Sequence, residues 1–202
     1  ECKELEYNYI LGIWPETLGA LAFIKRYKKK LTNFSGGFSC MIVGDSSPFL
    51  YKKSIFGNSI IDRSFSHALK HSKKKHKIVN YFSEGSCERQ FNSPGIRVPY
   101  GLISRGFTKF PEYHTSLDNF DVINKKNLLE SLKICCSAIE VIERNFTYKP
   151  NFTCEPFLSK YGIFPYDLGA GTGNAINREA LTYYDVANFI DKETDLLSIA
   201  DR

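Results

Sequence analysis

The sequence predicts an α/β fold, in which helices cover the faces of a sheet. Strand-like runs of aromatic and β-branched residues alternate along the chain with helical stretches, and this alternation is typical of α/β domains. With 43% hydrophobic and 24% charged residues, the 202-residue chain has an ordinary globular composition and enough length to bury a core. The same values exclude disordered, collagen-like and low-complexity proteins.

Four strands and three helices are predicted along the first 145 residues. Aromatic and β-branched residues, or short apolar runs, favour strands at 6–14, 38–43, 77–82 and 98–104. Apolar spacing predicts a helix from Leu18 that ends in the lysines at 28–30, and a polar helix follows over 59–75. The longest helix is predicted over 124–144, where apolar residues three and four apart form one stripe. Irregular segments without periodicity lie at 83–99 and 106–120.

The character of the sequence changes after Arg144. Residues 148–173 are rich in proline, glycine and aromatic residues without periodicity, which is typical of a linker or the edge of a new unit. Two short helices are predicted, over 180–190 and 193–200. The predicted domains are therefore 1–147 and 148–202, and we expect the second to be truncated before it closes a core.

We expect the chain to be an interior piece of a longer cytoplasmic protein. Met41 is the only methionine, and no signal-like segment opens the sequence. No apolar run approaches the roughly 20 residues of a membrane span. The six cysteines show neither a CxxC pair nor a disulfide framework, so we expect reduced thiols, with Cys135 and Cys136 buried in the longest helix. The net charge of +5 is too small to favour nucleic-acid binding.

Three predicted loops carry side chains suited to catalysis or metal binding. Glu16 follows the first predicted strand; Cys87, Glu88 and Arg89 share a later loop, and His114 precedes the longest helix. In open α/β sheets, active sites lie in the loops at the carboxyl ends of strands. A carboxylate, a thiol and an imidazole from such loops can converge on a zinc ion. Their spacing contains no metal-binding motif, and it fits equally a helix cap, a loop ion pair and a surface histidine.

These loops lie in segments that resemble a known family. The segments read GSCERQFNSPGIRVPYGLISRG and FPEYHTSLDN, and WPETLG precedes them. In this order they resemble the bacterial aminopeptidase-like family often found beside polysaccharide-biosynthesis genes, a branch of the zinc aminopeptidase fold. The resemblance covers about residues 5–145 and implies a three-layer αβα sheet of the zinc-aminopeptidase type. The tail from Cys154 resembles the linker and first helices of that family's C-terminal winged-helix domain.

The resemblance implies roles for an imidazole and two carboxylates. His114 matches the last histidine ligand of the zinc aminopeptidases, whose motif is also His-Thr-x-x-Asp. Asp118 matches a residue that orients the loop or accepts the second N–H of the imidazole, and it equally suits a cap for the following helix. Glu16 takes the place of the general base, and Thr17 that of a metal-binding carboxylate, when Glu-Thr-Leu-Gly is aligned with the Glu-Glu-x-Gly of the wider zinc aminopeptidase fold. An alignment of Pro-Glu instead makes Glu16 a metal ligand, but the gapless alignment favours the base.

The loop around Cys87 departs from the family pattern. The family has an aspartate ligand there, so the resemblance implies a metal ligand at Cys87, whose thiolate is able to bind zinc. The alternatives are an inert thiol, replacement of the ligand by Glu88, or loss of the second metal position. Arg89 suits a substrate carboxylate, or a salt bridge with Glu88 or Glu84. The first zinc ligands of the zinc aminopeptidase fold, a histidine and a bridging aspartate, precede the Glu16 segment, where this sequence has neither.

The resemblance therefore predicts a zinc-dependent aminopeptidase-like hydrolase, in which metal-activated water attacks a peptide or amide bond of a small substrate. One or two zinc ions would be held in part by His114 and Cys87, with Glu16 as the base. The alternative is a catalytically degenerate binding or scaffold protein associated with surface polysaccharide biosynthesis, which Thr17 and Cys87 favour. Regulatory DNA binding through the C-terminal domain would require a salt-dependent affinity. Homo-oligomers are compatible with each of these functions.

Overall fold

The computed structural model describes residues 4–164 and 177–202. The chain divides into two compact units, Glu1–Glu143 and Arg144–Arg202, which are called unit 1 and unit 2 below. The end of the predicted linker, at 165–173, lies outside the described residues.

A mixed four-stranded sheet forms the centre of unit 1. Its strands are β1 (Gly37–Cys40), β2 (Phe49–Lys52), β3 (His76–Val79) and β4 (Tyr100–Arg105). Their order across the sheet is β1, β4, β2, β3, with β1 parallel to β4, β2 parallel to β3, and β2 antiparallel to β4. Because β1 and β4 are parallel neighbours, the loops that follow them leave the sheet at the same edge.

Helices precede, separate and follow these strands. They are α1 (Leu18–Tyr27), α2 (Ile60–His71), α3 (Glu88–Asn92), α4 (Lys125–Arg144), α5 (Arg178–Phe189) and α6 (Leu196–Ala200), with 3₁₀ turns at Lys28–Asn33 and Leu158–Tyr161. The α/β prediction is confirmed, and the predicted helices coincide with α1, α2, α4, α5 and α6 to within a few residues. Within the described part of the chain, no helix has the length and apolar character needed to cross a bilayer.

The strand predicted at 6–14 is wrong. This segment has no regular secondary structure, and most of its apolar side chains are exposed. It is held by Glu143 of α4, whose carboxylate accepts hydrogen bonds from the N–H of Glu6 at 2.7 Å and from the phenol of Tyr9 at 2.5 Å. Two elements also go unpredicted, β2 and α3, because these segments of four and five residues are not part of a longer apolar or periodic run, unlike β1 and β3.

Two apolar clusters form the interior of unit 1. The larger joins the sheet to α2 and α4, and it contains the stacked rings of Tyr51 and Phe65, with centroids 4.8 Å apart. The smaller joins α1 to α3 and includes Cys87. Cys135 is buried as predicted, but Cys136 is exposed, because consecutive helical residues point about 100° apart and only one of them faces the sheet.

Helix α2 begins with a reciprocal cap between Ser59 and Asp62. The Ser59 hydroxyl accepts a hydrogen bond from the Asp62 N–H at 3.3 Å, and the Asp62 carboxylate accepts one from the Ser59 N–H at 3.1 Å. Replacing Ser59 by alanine is expected to lower the free energy of unfolding by about 1 kcal/mol, because a helical N–H loses its partner. Urea denaturation measures this change. Ser66→Ala, inside the same helix, is the control and should have the smaller effect; equal effects would contradict the capping role.

Unit 2 contains the short helices α5 and α6. Asn177 caps α5 by accepting a hydrogen bond from the N–H of Ala180 at 3.1 Å. Asp195 caps α6 by accepting one from the N–H of Ser198 at 2.8 Å, and it also forms an isolated antiparallel bridge with Thr147. The winged-helix-like character of this unit stays a prediction.

Candidate functional site

The turn that carries Glu16 contacts the loop that carries Cys87. Glu16 is exposed, while Trp14 packs against the ring of Phe91. The backbone N–H of Thr17 donates a hydrogen bond to the Cys87 sulfur at 3.4 Å. The structure therefore brings two of the three predicted segments together, with Glu16 on the surface beside their contact.

The Cys87 thiol lies in an apolar environment. Only 8% of the residue is exposed, and it belongs to the smaller apolar cluster together with Ala20, Ile24 and Phe91. Its sulfur accepts the hydrogen bond of the Thr17 N–H. These surroundings favour an inert thiol, which was one of the alternatives from the sequence, and a metal-binding role for Cys87 stays a prediction.

The Glu88 carboxylate is buried in an ion pair with Lys52. Both side chains are fully buried, and Nζ of Lys52 lies 2.5 Å from Oε1 of Glu88. The same ammonium group donates to the carbonyl oxygens of Phe82 and Glu84, at 3.3 and 2.6 Å, and the N–H of Ser86 donates to Glu88 at 3.0 Å. Buried charges need such partners. The ion pair therefore fixes the loop, and the Glu88 carboxylate is not free to replace the metal ligand predicted at Cys87.

Gly85 and Arg89 lie next to this ion pair in the same loop. Gly85 has φ 151°, and a Cβ there would collide with the Glu88 carboxylate and the Lys52 ammonium, so glycine lets the loop pass close to the pair. Arg89 is half-buried, and its Nε donates to the carbonyl oxygen of Ser86 at 3.2 Å. Glu88 pairs with Lys52 rather than with Arg89, so the predicted salt bridge between Arg89 and Glu88 is wrong. Substrate binding by Arg89 stays a prediction.

His114 and Asp118 lie on the irregular loop between β4 and α4. His114 is exposed, has φ 59°, and stacks its ring on Tyr113 with centroids 3.9 Å apart. Asp118 is also exposed. The helix-cap alternative for Asp118 is wrong, because Asn124 occupies that position and its side chain accepts a hydrogen bond from the N–H of Lys126 at 2.8 Å.

Glu16, Cys87 and His114 do not meet at a metal site. In the part of the chain that the structure describes, no group of three His, Cys, Asp or Glu side chains is placed to hold a metal ion. A zinc site takes at least three protein ligands. The described residues therefore do not fit a complete zinc site by themselves.

One buried carboxylate oxygen nevertheless has no hydrogen-bond partner among the described residues, and it belongs to Asp45, a residue outside the sequence motifs. Asp45 follows β1 and is only 5% exposed, and its Oδ1 accepts a hydrogen bond from the Ser47 N–H at 2.6 Å. Its Oδ2 is buried and has no hydrogen-bond partner among the described residues. A buried carboxylate oxygen without a partner is destabilising, so a bound cation or a donor group on a ligand would stabilise Asp45.

Asp45 lies in a cleft of about 640 Å³ between the loops that follow β1 and β4. Its lining residues are Asp45, Ser46, Ser47, Phe110, Glu112, Leu117, Asn119, Asp121 and Val122. The two loops meet because β1 and β4 are parallel neighbours. Carboxylates from both loops face this cleft, which favours a positively charged ligand, and the second loop also carries His114.

The sequence contains a signal for Asp45. This residue follows the apolar run 38–43 after a single glycine, and polar residues just beyond a buried strand line the sites of α/β proteins. The pairing of β1 with β4, which joins Asp45 to the His114 loop, is a tertiary feature that the sequence alone does not show.

The chain is similar to a protein family, to a named relative and to a solved crystal structure. Residues 1–145 match the protein family described as "Domain of unknown function (DUF4910)". A protein of Clostridium acetobutylicum, provisionally named a polysaccharide biosynthesis protein with an aminopeptidase-like domain, is 37% identical over 196 residues, which are 96% of this chain and 44% of that protein. A crystal structure provisionally described as a peptidase from C. acetobutylicum has a TM-score of 0.81 and 34% identity, over 93% of this chain and 41% of the other. The chain thus spans less than half the length of both proteins.

Proposed function

The chain belongs to the DUF4910 family, and we propose that it is part of a zinc-dependent aminopeptidase-like hydrolase that cleaves a peptide or amide bond. The relative from C. acetobutylicum supports this proposal, because its name includes an aminopeptidase-like domain. The similar crystal structure is described as that of a peptidase. Both agree with the family resemblance that the motifs around Glu16, Cys87 and His114 indicate.

The observation that carries the proposal is the buried Oδ2 of Asp45, which has no hydrogen-bond partner in the described ranges 4–164 and 177–202. A carboxylate oxygen is one of the protein ligands that zinc takes, and a bound cation would remove the cost of burying this oxygen unpaired. The cleft beside it is lined by further carboxylates and lies at the carboxyl ends of β1 and β4. Asp45 is therefore our candidate for one metal ligand in this chain.

His114 and Glu16 are the candidates for the remaining roles. His114 belongs to the loop that lines the cleft and would supply an imidazole ligand. Glu16, an exposed carboxylate, would act as the general base. Zinc, when bound, would lower the pKa of a water molecule and polarise the substrate carbonyl. Because the described residues do not complete a zinc site, we propose that other ligands come from the part of the full-length protein that this chain does not include.

Zinc content and hydrolysis by the full-length protein test this function. We expect near-stoichiometric zinc, which His114→Ala lowers and which the control His76→Ala, an exposed histidine of β3, leaves unchanged. Glu16→Gln should keep the zinc but slow the hydrolysis of an aminoacyl amide by roughly 100-fold or more, because the general base is lost. A folded full-length protein that binds no zinc, or zinc binding that is insensitive to His114→Ala, would overturn the proposal.

A catalytically degenerate binding or scaffold protein is the second candidate. The environment of Cys87 favours it, because this residue replaces the aspartate of the resembling family and its sulfur is buried against the Thr17 N–H. In that case the full-length protein would bind peptides or amino sugars without hydrolysing them. Glu16→Gln would then leave the binding affinity unchanged and no activity would be lost.

A further inference from the structure

Two cysteine sulfurs lie close together where β1 meets α4. Cys40 is the last residue of β1, and its Sγ lies 3.7 Å from the Sγ of Cys135 in α4. Both residues carry free thiols; Cys40 is exposed, whereas Cys135 is buried. The two sulfurs are therefore in contact without a bond between them, and one of them is accessible to reagents in solution.

The two thiols differ in acidity. A hydrogen bond from the Cys135 thiol lowers the pKa of Cys40, although burial acts in the opposite direction. The same hydrogen bond and burial both raise the pKa of Cys135. Cys40 is therefore the thiol that ionises first, with Cys135 as its protonated donor. An exposed cysteine whose pKa is lowered, beside a second thiol, is typical of cysteines that peroxides oxidise.

We propose that Cys40 and Cys135 form an oxidation site, at which a hydroperoxide converts the two thiols into a disulfide between β1 and α4. The proposal rests on the contact between the sulfurs and on their unequal exposure. It does not depend on the proposed hydrolase function, since neither cysteine is assigned a role in that site.

The reaction balances with the hydroperoxide as the oxidant. The Cys40 thiolate attacks a peroxide oxygen and the O–O bond breaks, which gives a sulfenic acid on Cys40 and releases hydroxide from hydrogen peroxide. The sulfur of Cys135 then attacks the Cys40 sulfur, so that the S–S bond forms, the S–O bond breaks, and water leaves with the Cys135 proton. The two sulfurs together lose two electrons, and the peroxide gains them.

The disulfide would reinforce an existing connection between α4 and the segment that follows β1. The Ser131 hydroxyl donates to the Val43 carbonyl oxygen at 2.7 Å, and the Asn124 N–H donates to the Gly44 carbonyl oxygen at 2.9 Å. A covalent link would join residues 95 positions apart in the sequence. Because closing such a loop restricts the unfolded chain, oxidation is expected to raise the thermal unfolding temperature by several degrees.

Peptide mapping by mass spectrometry tests the proposal. The reduced chain is treated with hydrogen peroxide, the remaining thiols are alkylated, and the peptides are compared before and after reduction. We expect a peptide pair joined through Cys40 and Cys135, two hydrogen atoms lighter than the separate thiols and reversed by a reductant. Cys154, an exposed thiol of unit 2, should be oxidised several-fold more slowly.

Matched variants distinguish a disulfide between Cys40 and Cys135 from one between Cys40 and the adjacent Cys136. Cys40→Ser removes the product, whereas Cys136→Ser, at an exposed cysteine adjacent to Cys135, should leave it unchanged. Oxidation in denaturant should lose the preference for this pair, because the preference comes from the fold. The proposal is overturned when Cys40 pairs with Cys136 instead, when Cys40 oxidises further while Cys135 remains a thiol, or when Cys154 reacts as fast.

Discussion

Replacing Lys52 by methionine is expected to lower the free energy of unfolding by about 3–5 kcal/mol, because it leaves the Glu88 carboxylate buried without its partner. Both side chains are fully buried, and the ammonium group also holds the carbonyl oxygens of Phe82 and Glu84. Methionine keeps most of the volume of the lysine chain, so the lost charge dominates the effect. Urea denaturation followed by circular dichroism measures the change.

Two further variants show whether the buried charge is the cause. Lys52→Met combined with Glu88→Gln removes both charges, and this double variant is expected to recover at least half of the lost stability. Lys74→Met removes the exposed partner of Glu130 and should change stability little. A Lys52→Met variant as stable as the starting protein would show that the ion pair does not hold the loop.

Replacing Asp45 by asparagine in the full-length protein is expected to reduce zinc affinity and amide hydrolysis by about 100-fold or more, because a direct ligand is lost. In the metal-free protein the same change should not lower stability, since it replaces a buried carboxylate, one oxygen of which has no hydrogen-bond partner among the described residues, by a neutral amide that is less costly to bury. Zinc titration, an aminoacyl amide assay and thermal unfolding in a chelator measure the three quantities.

Asp121→Asn is the matched control for this prediction. Asp121 lines the same cleft but is exposed, so its carboxylate is already solvated and its loss should change zinc affinity only slightly. The assignment of Asp45 fails when both variants bind zinc equally well. It also fails when Asp45→Asn destabilises the metal-free protein, because the carboxylate would then have a structural role.

Much of the fold can be predicted from the sequence because it depends on local patterns. The apolar stripe of α4 and the alternation of apolar and polar segments locate the long elements to within a few residues. The error at 6–14 has a different cause: this segment has the composition of a strand but pairs with none of the strands that the structure describes, and Glu143 of α4 holds its backbone instead. A strand-like composition thus indicates a preference for the extended conformation, but a strand forms only where a neighbouring strand pairs with it.

The candidate site depends more on contacts between distant parts of the chain. The motifs locate the loops that carry Glu16, Cys87 and His114, and the structure places the first two in contact through Thr17. Neither the unpartnered oxygen of Asp45 nor the ion pair of Glu88 has a local signature, because each depends on which groups surround a carboxylate in three dimensions. The sequence therefore does not predict which charged groups are buried or which hydrogen bonds they form.

The position of zinc in crystals of the full-length protein, located by anomalous scattering at the zinc absorption edge, tests the claim that Asp45 is a zinc ligand. We expect a peak about 2.0–2.2 Å from Oδ2 of Asp45, the distance typical of a zinc–carboxylate bond. A nitrogen of His114 should be a second ligand of the same ion. A fully occupied zinc ion bound elsewhere, with Oδ2 of Asp45 hydrogen-bonded to another part of the protein, would contradict the claim.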